Sequence, residues 1–282
     1  MKALVTGGLG LIGSHIVMRL LKDGHEVRIL DKRDLSEWPL GTMPLSVEFH
    51  KGDIAEILDC HRAMNGIDVV FHTAAIARTA ETLTDPMGAN RTNVDGTLNL
   101  LQMAKVWKVK RFVHSSSSIV YTGPSTPYAV GKIASEHYVT LFGKLYNLST
   151  ISLRYANVYG PGQRRDGAYP NVLASFARDK AEKGYITIYG DGSVTRDFVH
   201  VDDVVEANML AMKSEEQGTF DICFGEYWNI KRLSELFDCE VRHAEERPGD
   251  TKLIQVFPGY AMEKLGFRAQ IQLNKQSISS YL

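Results

Sequence analysis

Cysteine is scarce in this 282-residue chain, with three copies. Cys60, Cys223 and Cys239 are too scattered for a disulfide framework, and none forms a CxxC metal pair. Free thiols in a reducing compartment follow from that arithmetic. No uninterrupted apolar run approaches the ~20 residues of a membrane helix. Met1–Thr6 runs straight into glycines without the apolar core of a signal peptide. The expectation is a cytoplasmic protein with no membrane partner. An excess of one charge is also missing: the net charge is −1 and the pI about 6.8, which gives no electrostatic case for nucleic acid. Repeats and low-complexity linkers are absent. A hydrophobic content of 44% and a charged content of 23% suit one large globular domain or two closely packed ones.

What is present is alternation. Short apolar runs at 2–6, 26–30, 46–50, 68–72, 111–115 and 150–155 read as strands, and amphipathic stretches at 11–22, 54–64, 87–106 and 128–146 read as the helices between them. Such an order predicts an α/β fold, a Rossmann-type doubly wound parallel sheet with right-handed crossovers. Past residue 160 the texture changes to a Gly/Pro/Arg loop, a helix near 170–183 and the turn-rich Tyr189–Ser193. Residues 1–165 are therefore expected to form a dinucleotide-binding domain. Residues 166–282 are expected to form a smaller C-terminal α/β substrate lobe over the sheet's carboxyl edge, where ligand crevices lie.

Between the first strand and first helix stands Thr6-Gly7-Gly8-Leu9-Gly10-Leu11-Ile12-Gly13. Glycines there let the backbone turn sharply and approach a pyrophosphate, with amide N–H groups and the helix dipole facing its charge. Alone the loop is a weak signal, because a glycine-rich turn is often only a turn. Its strand–loop–helix context and Asp31 at the end of the second strand strengthen it. A carboxylate there accepts from a ribose 2′-OH and repels a 2′-phosphate, favouring NAD over NADP. Lys32 and Arg33 soften that preference, and a plain turn residue is the other reading of Asp31.

Tyr128 and Lys132 share one face at the start of a helix. An ammonium beside a phenol favours phenolate, and a tyrosinate takes a proton from a carbinol as its hydride leaves. An exposed helix pair is the ordinary alternative. Here the pair follows a strand ending in Ser115-Ser116-Ser117-Ser118, whose hydroxyls face the carboxyl edge or simply form a polar strand-end turn.

Taken in this order, the loop, Asp31, the serines and Tyr128/Lys132 resemble the extended short-chain dehydrogenase/reductases. More narrowly they resemble the NAD-dependent nucleotide-sugar epimerase/dehydratase branch typified by UDP-glucose 4-epimerase. Gly52-Asp53-Ile54, His72-Thr73-Ala74-Ala75, Asn93-Val94-Asp95-Gly96-Thr97, Leu153-Arg154-Tyr155-Ala156-Asn157 and Arg196-Asp197-Phe198-Val199-His200-Val201-Asp202-Asp203 extend the likeness from Lys2 to about Phe267. The resemblance implies a catalytic Ser117, Tyr128 and Lys132. It implies an NAD site at Gly7, Gly10, Leu11, Ile12, Gly13, Asp31, Lys32, Asp53, Ile54, Ala74, Ala75, Asn93, Tyr128, Lys132 and Tyr155. A nucleotide-diphosphate sugar is expected at Ser117, Asn157, Arg196 and Arg247, the arginines bonding phosphate oxygens in pairs. Asp202 and Asp203 read as helix caps, so no metal is assigned.

Dehydratase relatives carry Asp-Glu after the hydroxyl residue, and decarboxylase relatives carry a glutamate two residues after it. Here Ser118 and Ile119 follow Ser117, so both reactions lack a group. The expectation is a UDP-sugar 4-epimerase working through a 4-keto sugar. The alternatives are an NAD(P)H-consuming nucleotide-sugar reductase and a non-catalytic NAD sensor. The resemblance also implies a homodimer built on helices 87–106 and 128–146. Leu98, Leu101, Val139 and Phe142 there fit either a dimer face or the core.

Overall fold

In the computed structural model, which describes residues 1–164, 171–246 and 254–281, seven parallel strands form one sheet. They are β1 (Lys2–Thr6), β2 (Glu26–Asp31), β3 (Glu48–Lys51), β4 (Val69–His72), β5 (Arg111–Ser117), β6 (Thr150–Tyr155) and, after the excursion described below, β10 (Gly218–Ile222). Their order across the sheet is β10-β6-β5-β4-β1-β2-β3. The switch of direction between β1 and β4 puts a crevice at the carboxyl ends of those strands.

Alternation along each strand feeds two separate cores. Ala3, Val5, Val69 and Phe71 point to the layer of α1 (Leu11–Lys22) and α8 (Val201–Lys213). Leu4, Val70 and Phe112 point to α2 (Ile57–Met64), α5 (Gly96–Val106) and α6 (Pro127–Tyr146). Both faces of the sheet are thus covered, which is why its strands read as near-continuous apolar runs.

The remainder forms a smaller lobe. There β7 (Asn157–Tyr159), β9 (Thr195–His200) and β11 (Tyr227–Asn229) make one small sheet, and β8 (Tyr185–Tyr189) pairs with β12 (Glu240–Ala244). With α7 (Val172–Lys183) and α9 (Ile230–Ser234) they enclose Tyr159, Phe176, Phe198, Trp228 and Phe237. The helix α10 (Gly259–Leu265) packs back on the large core through Ala261 and Leu265. Chain beyond residue 165 contributes to both lobes, because α8 and β10 complete the large sheet.

The helix expected at 87–106 is present and contains a π-helical turn. The chain runs through α3 (Thr79–Thr84), α4 (Pro86–Asn90), a π-helical turn at Arg91–Asp95 and then α5. The turn turns Asn93 toward the β4 loop: its Oδ1 accepts from Ile76 N–H at 2.9 Å and its Nδ2 donates to Ile76 C=O at 3.0 Å. The helix expected from residue 54 begins at Ile57. Asp202 and Asp203 do not cap α8. His200 does, its Nδ1 accepting from Asp202 N–H, while the Asp203 carboxylate takes the N–H groups of Gln270 and Ile271.

A buried polar chain ties the strand ends together. Thr97 Oγ1 donates to Asn93 C=O at 2.7 Å and therefore accepts from His72 Nε2 at 2.9 Å, leaving His72 Nδ1 to accept from Thr6 at 2.9 Å. Burial holds this neutral imidazole down at about 3. Below the ordinary histidine value of about 6.5 the unfolded chain binds a proton that the fold refuses, so stability falls with acid at up to about 1.4 kcal/mol per pH unit. We predict that His72→Phe flattens the fall in unfolding free energy between pH 6.5 and 4, measured by urea titration. An unchanged slope would contradict a neutral His72.

Candidate active site

The nucleotide loop is built by close approach. Gly7 has φ of +68°, and a Cβ there would lie 2.7 Å from the Ala74 backbone. A Cβ at Gly13 would lie 2.3 Å from the Gly7 carbonyl oxygen, so a side chain at either position would force α1 and the β4 loop off β1. Asp31 braces the loop: Oδ2 accepts from Leu9 N–H at 3.0 Å and Oδ1 from Arg33 N–H at 3.1 Å. A carboxylate has capacity beyond two such bonds, which leaves room for a ribose hydroxyl.

A cavity of about 970 Å³ opens here. Gly7, Gly10, Leu11, Asp31, Lys32, Asp53, Ile54, Ala74 and Ala75 line it, as do Glu37, Pro39, Gly162 and Arg164, which the sequence did not single out. Its outer wall joins the two lobes through Arg164 Nη1 donating to Glu37 at 2.9 Å. Glycine cradle, acid at the end of β2 and volume all fit a dinucleotide. Ile12 and Gly13 stand behind this wall, and Asn93 braces the β4 loop at Ile76. The Tyr155 side chain is buried, with its hydroxyl on Ser115 and Asn208, so only its backbone is available to a ligand.

Ser117, Tyr128 and Lys132 lie outside that wall, at the end of β5 beyond the β4 loop. Thr126 caps α6 through Ala129 N–H, and Pro127 occupies the first turn, so the helix starts where Tyr128 meets the strand end. The Ser117 hydroxyl stands beside Tyr128, its oxygen accepting from Ile119 N–H at 3.3 Å. Burial pushes the Tyr128 phenol up, and the nearby Ser117 hydroxyl pulls it back. The expected pull of Lys132 on Tyr128 is not part of this balance. Instead Lys132, 5% exposed, donates from Nζ to Ser115 C=O at 2.7 Å. Burial lowers its ammonium to about 8, against an upward pull from Glu136.

Two more residues that the sequence missed complete the strand end. Ser116 Oγ donates to Glu136 at 2.5 Å, and Arg154 grips the same carboxylate with Nε at 2.8 Å and Nη2 at 2.6 Å. On the substrate side, Asn157 Nδ2 donates to Asp197 C=O at 3.1 Å, and Arg196 Nη1 donates to Thr195 C=O at 2.9 Å on neighbouring β7 and β9. Arg247 lies outside the described residues. Among those described, no cluster of three metal-ligating side chains occurs and no helix is long and apolar enough to cross a membrane.

This fold and this site define an NAD-dependent enzyme of the short-chain dehydrogenase/reductase type. More particularly, the chain belongs to the NAD dependent epimerase/dehydratase family, whose model matches residues 3–223. It is 34% identical to UDP-glucose 4-epimerase of Mycolicibacterium smegmatis over 97% of this chain and 95% of that protein. The UDP-glucose 4-epimerase of Thermotoga maritima, solved with UDP-glucose, superposes with a TM-score of 0.93 at 32% identity, covering 100% of this chain and 98% of that one. The UDP-N-acetylglucosamine 4-epimerase of Methanobrevibacter ruminantium, solved with UDP-N-acetylmuramic acid, gives 0.91 at 30% identity, covering 99% and 96%.

The buried Lys132 ammonium sets a prediction. A folded value near 8 against an unfolded value near 10.4 means the charge opposes folding below pH 8, by about 3 kcal/mol at neutral pH. That opposition fades as pH rises from 8 toward 10.4. Lys132→Met is expected to hold or raise the thermal midpoint at pH 7 while removing turnover. A clear drop in midpoint would mean that the lost bond to Ser115 outweighs the buried charge.

Proposed function

We propose that the protein is a 4-epimerase of a UDP-linked sugar, with Tyr128 as its acid and base. The observation that carries this reading is the placement of the Ser117 and Tyr128 side chains together at the end of β5, with no carboxylate at Ser118 or Ile119. A dehydratase or decarboxylase needs a second acid or base at those positions.

Gly7, Gly10, Leu11, Asp31, Asp53 and Ala74 would hold NAD, with Asp31 bonding the adenosine ribose. Bound there, NAD would take a hydride from the sugar C4 and give it back. Ser117 orients the C4 hydroxyl, and Tyr128 as phenolate takes its proton. Lys132, cationic below about 8, does not lower the resting phenol, but from one helical turn away its charge would favour the phenolate once the proton has left. Asn157, Arg196 and Arg247 hold the nucleotide diphosphate while the keto-sugar turns over. Tyr128 then returns its proton to the oxygen, and C4 is inverted.

We place the enzyme in the cytoplasm as a homodimer, the buried thiols of Cys60 and Cys223 fitting a reducing compartment. Of the two readings of Leu98, Leu101, Val139 and Phe142, the core is the one that holds. Leu101, Val139 and Phe142 are core, and Leu98 packs against it, because the apolar stripes of α5 and α6 that carry them face the sheet. Met87, Leu141 and Leu145 are 83%, 42% and 62% exposed and supply the apolar face instead.

Incubating the purified protein with UDP-, dTDP- and GDP-sugars, without added cofactor, tests the reading through the anomeric proton signals. The C4-inverted sugar is expected, with NAD released on denaturation. Tyr128→Phe is expected to lower turnover by at least ~10²-fold, the scale of a lost acid–base group. Turnover only with consumption of NAD(P)H would establish a reductase instead. Bound NAD with no turnover across the panel would favour a sensor.

A further inference from the structure

Outside the site already described, the feature with most chemistry is a buried alternation of charge behind it. Glu136 lies one turn after Lys132 on the same face of α6 and is 7% exposed. Both of its oxygens are engaged by Arg154, and one also by Ser116. Arg154 Nη1 donates to the Tyr121 hydroxyl at 2.9 Å and its guanidinium lies 4.8 Å over that ring. Tyr121 donates to Asp221 on β10 at 2.8 Å, and Asp221 also accepts from Phe257 N–H at 3.1 Å. The chain therefore reads cation, anion, cation, anion from Lys132 to Asp221, crossing α6, β6 and β10.

The geometry points to Glu136 as a positioning residue for Lys132: held in place by Arg154 and Ser116, its carboxylate keeps the buried ammonium charged and seated on the Ser115 carbonyl. The remaining groups that face Lys132 do not supply that charge. His72 on β4 and His114 on β5 are neutral, each held down by burial and by the ammonium itself. Tyr128, on α6, is a phenol at rest. Among the described residues Glu136 is the anion on this face of α6, one helical turn from Lys132, and Arg154 holds its carboxylate in place by binding it bidentately. The same link spans both sides of the Ser117 hydroxyl, because Ser116 precedes Ser117 and Tyr121 lies in the turn Ser118–Thr122 that follows it. Glu136 touches neither substrate nor cofactor and acts through Lys132.

This inference rests on the epimerase reading for its catalytic meaning, yet its test does not. Lysine in the NAD-loaded protein is labelled with ¹³C at Cε, the Lys132 signal is identified by its loss in Lys132→Arg, and the signal is titrated with pH. Glu136→Gln, which keeps the shape and the acceptor oxygen, is expected to lower the Lys132 midpoint by about one pH unit, or tenfold in proton affinity. The alkaline limb of kcat should move down with it while KM changes little. Glu136→Asp should restore most of the shift. Arg154→Met removes the opposing cation and should move the midpoint up, an independent sign should Glu136→Gln not fold. Asp221→Asn, at the far end of the chain, should leave the midpoint where it was. A midpoint unmoved by Glu136→Gln, or one moved equally by Asp221→Asn, would overturn the assignment. A shifted midpoint in a protein that turns over no nucleotide sugar would overturn the epimerase reading and leave this one intact.

Discussion

The structure turns on one buried charge. Lys132 carries its ammonium beneath the end of β5, where water does not reach it, and only specific partners make that tolerable. Its bond to the Ser115 carbonyl, of a kind worth about 1.5–3 kcal/mol, pins the strand end to α6. Each neighbouring serine is then tied in turn: Ser115 through its hydroxyl to Tyr155, Ser116 to Glu136 and Ser117 to the Ile119 N–H. The reacting hydroxyl group thus inherits its position from bonds that have other ends deep in the core. On the proposed function, stability is given up at this point so that a phenol and an ammonium can work together, as active sites commonly require.

The nucleotide end is rigid for a different reason. Close backbone contact at Gly7 and Gly13 locks the loop, α1 and the β4 end into one block. The Thr6–His72–Thr97–Asn93 chain continues beneath it, and Asn93 reaches up to hold Ile76 at the cavity wall. A Cβ on Gly131 of α6 would meet Asn93 at 3.1 Å, so the helix that bears Tyr128 rests on the residue that shapes the cofactor cleft. The two halves of the site are therefore coupled by packing rather than by a flexible hinge.

Much of this was legible in the residues. Strands covered on both faces announce themselves as apolar runs, and β1 and β6 fall at the positions expected. Thr126-Pro127 marks the start of α6, so the Tyr128/Lys132 face was readable too. What escaped depends on partners distant in sequence. The π-helical turn at Arg91–Asp95 lies inside a stretch that reads as ordinary helix, and its Asn93 meets Ile76, 17 residues away. The strand β10 is a short run in a turn-rich region, and pairing with β6 makes it a strand. Glu136 looks like any surface glutamate until Arg154 and Ser116 are seen around it. Leu101, Val139 and Phe142 show why an apolar stripe cannot by itself separate core from interface.

The central claim is that one proton moves through Tyr128 while the carbon-bound hydrogen leaves and returns inside the protein. A nucleotide sugar that the enzyme turns over, carrying deuterium at C4, tests it most directly when product and remaining substrate are analysed by NMR and mass spectrometry in ordinary water. The account predicts that deuterium stays at C4 in both epimers throughout approach to equilibrium. Loss of the label to water, or solvent hydrogen appearing at C4 or C5, would contradict it.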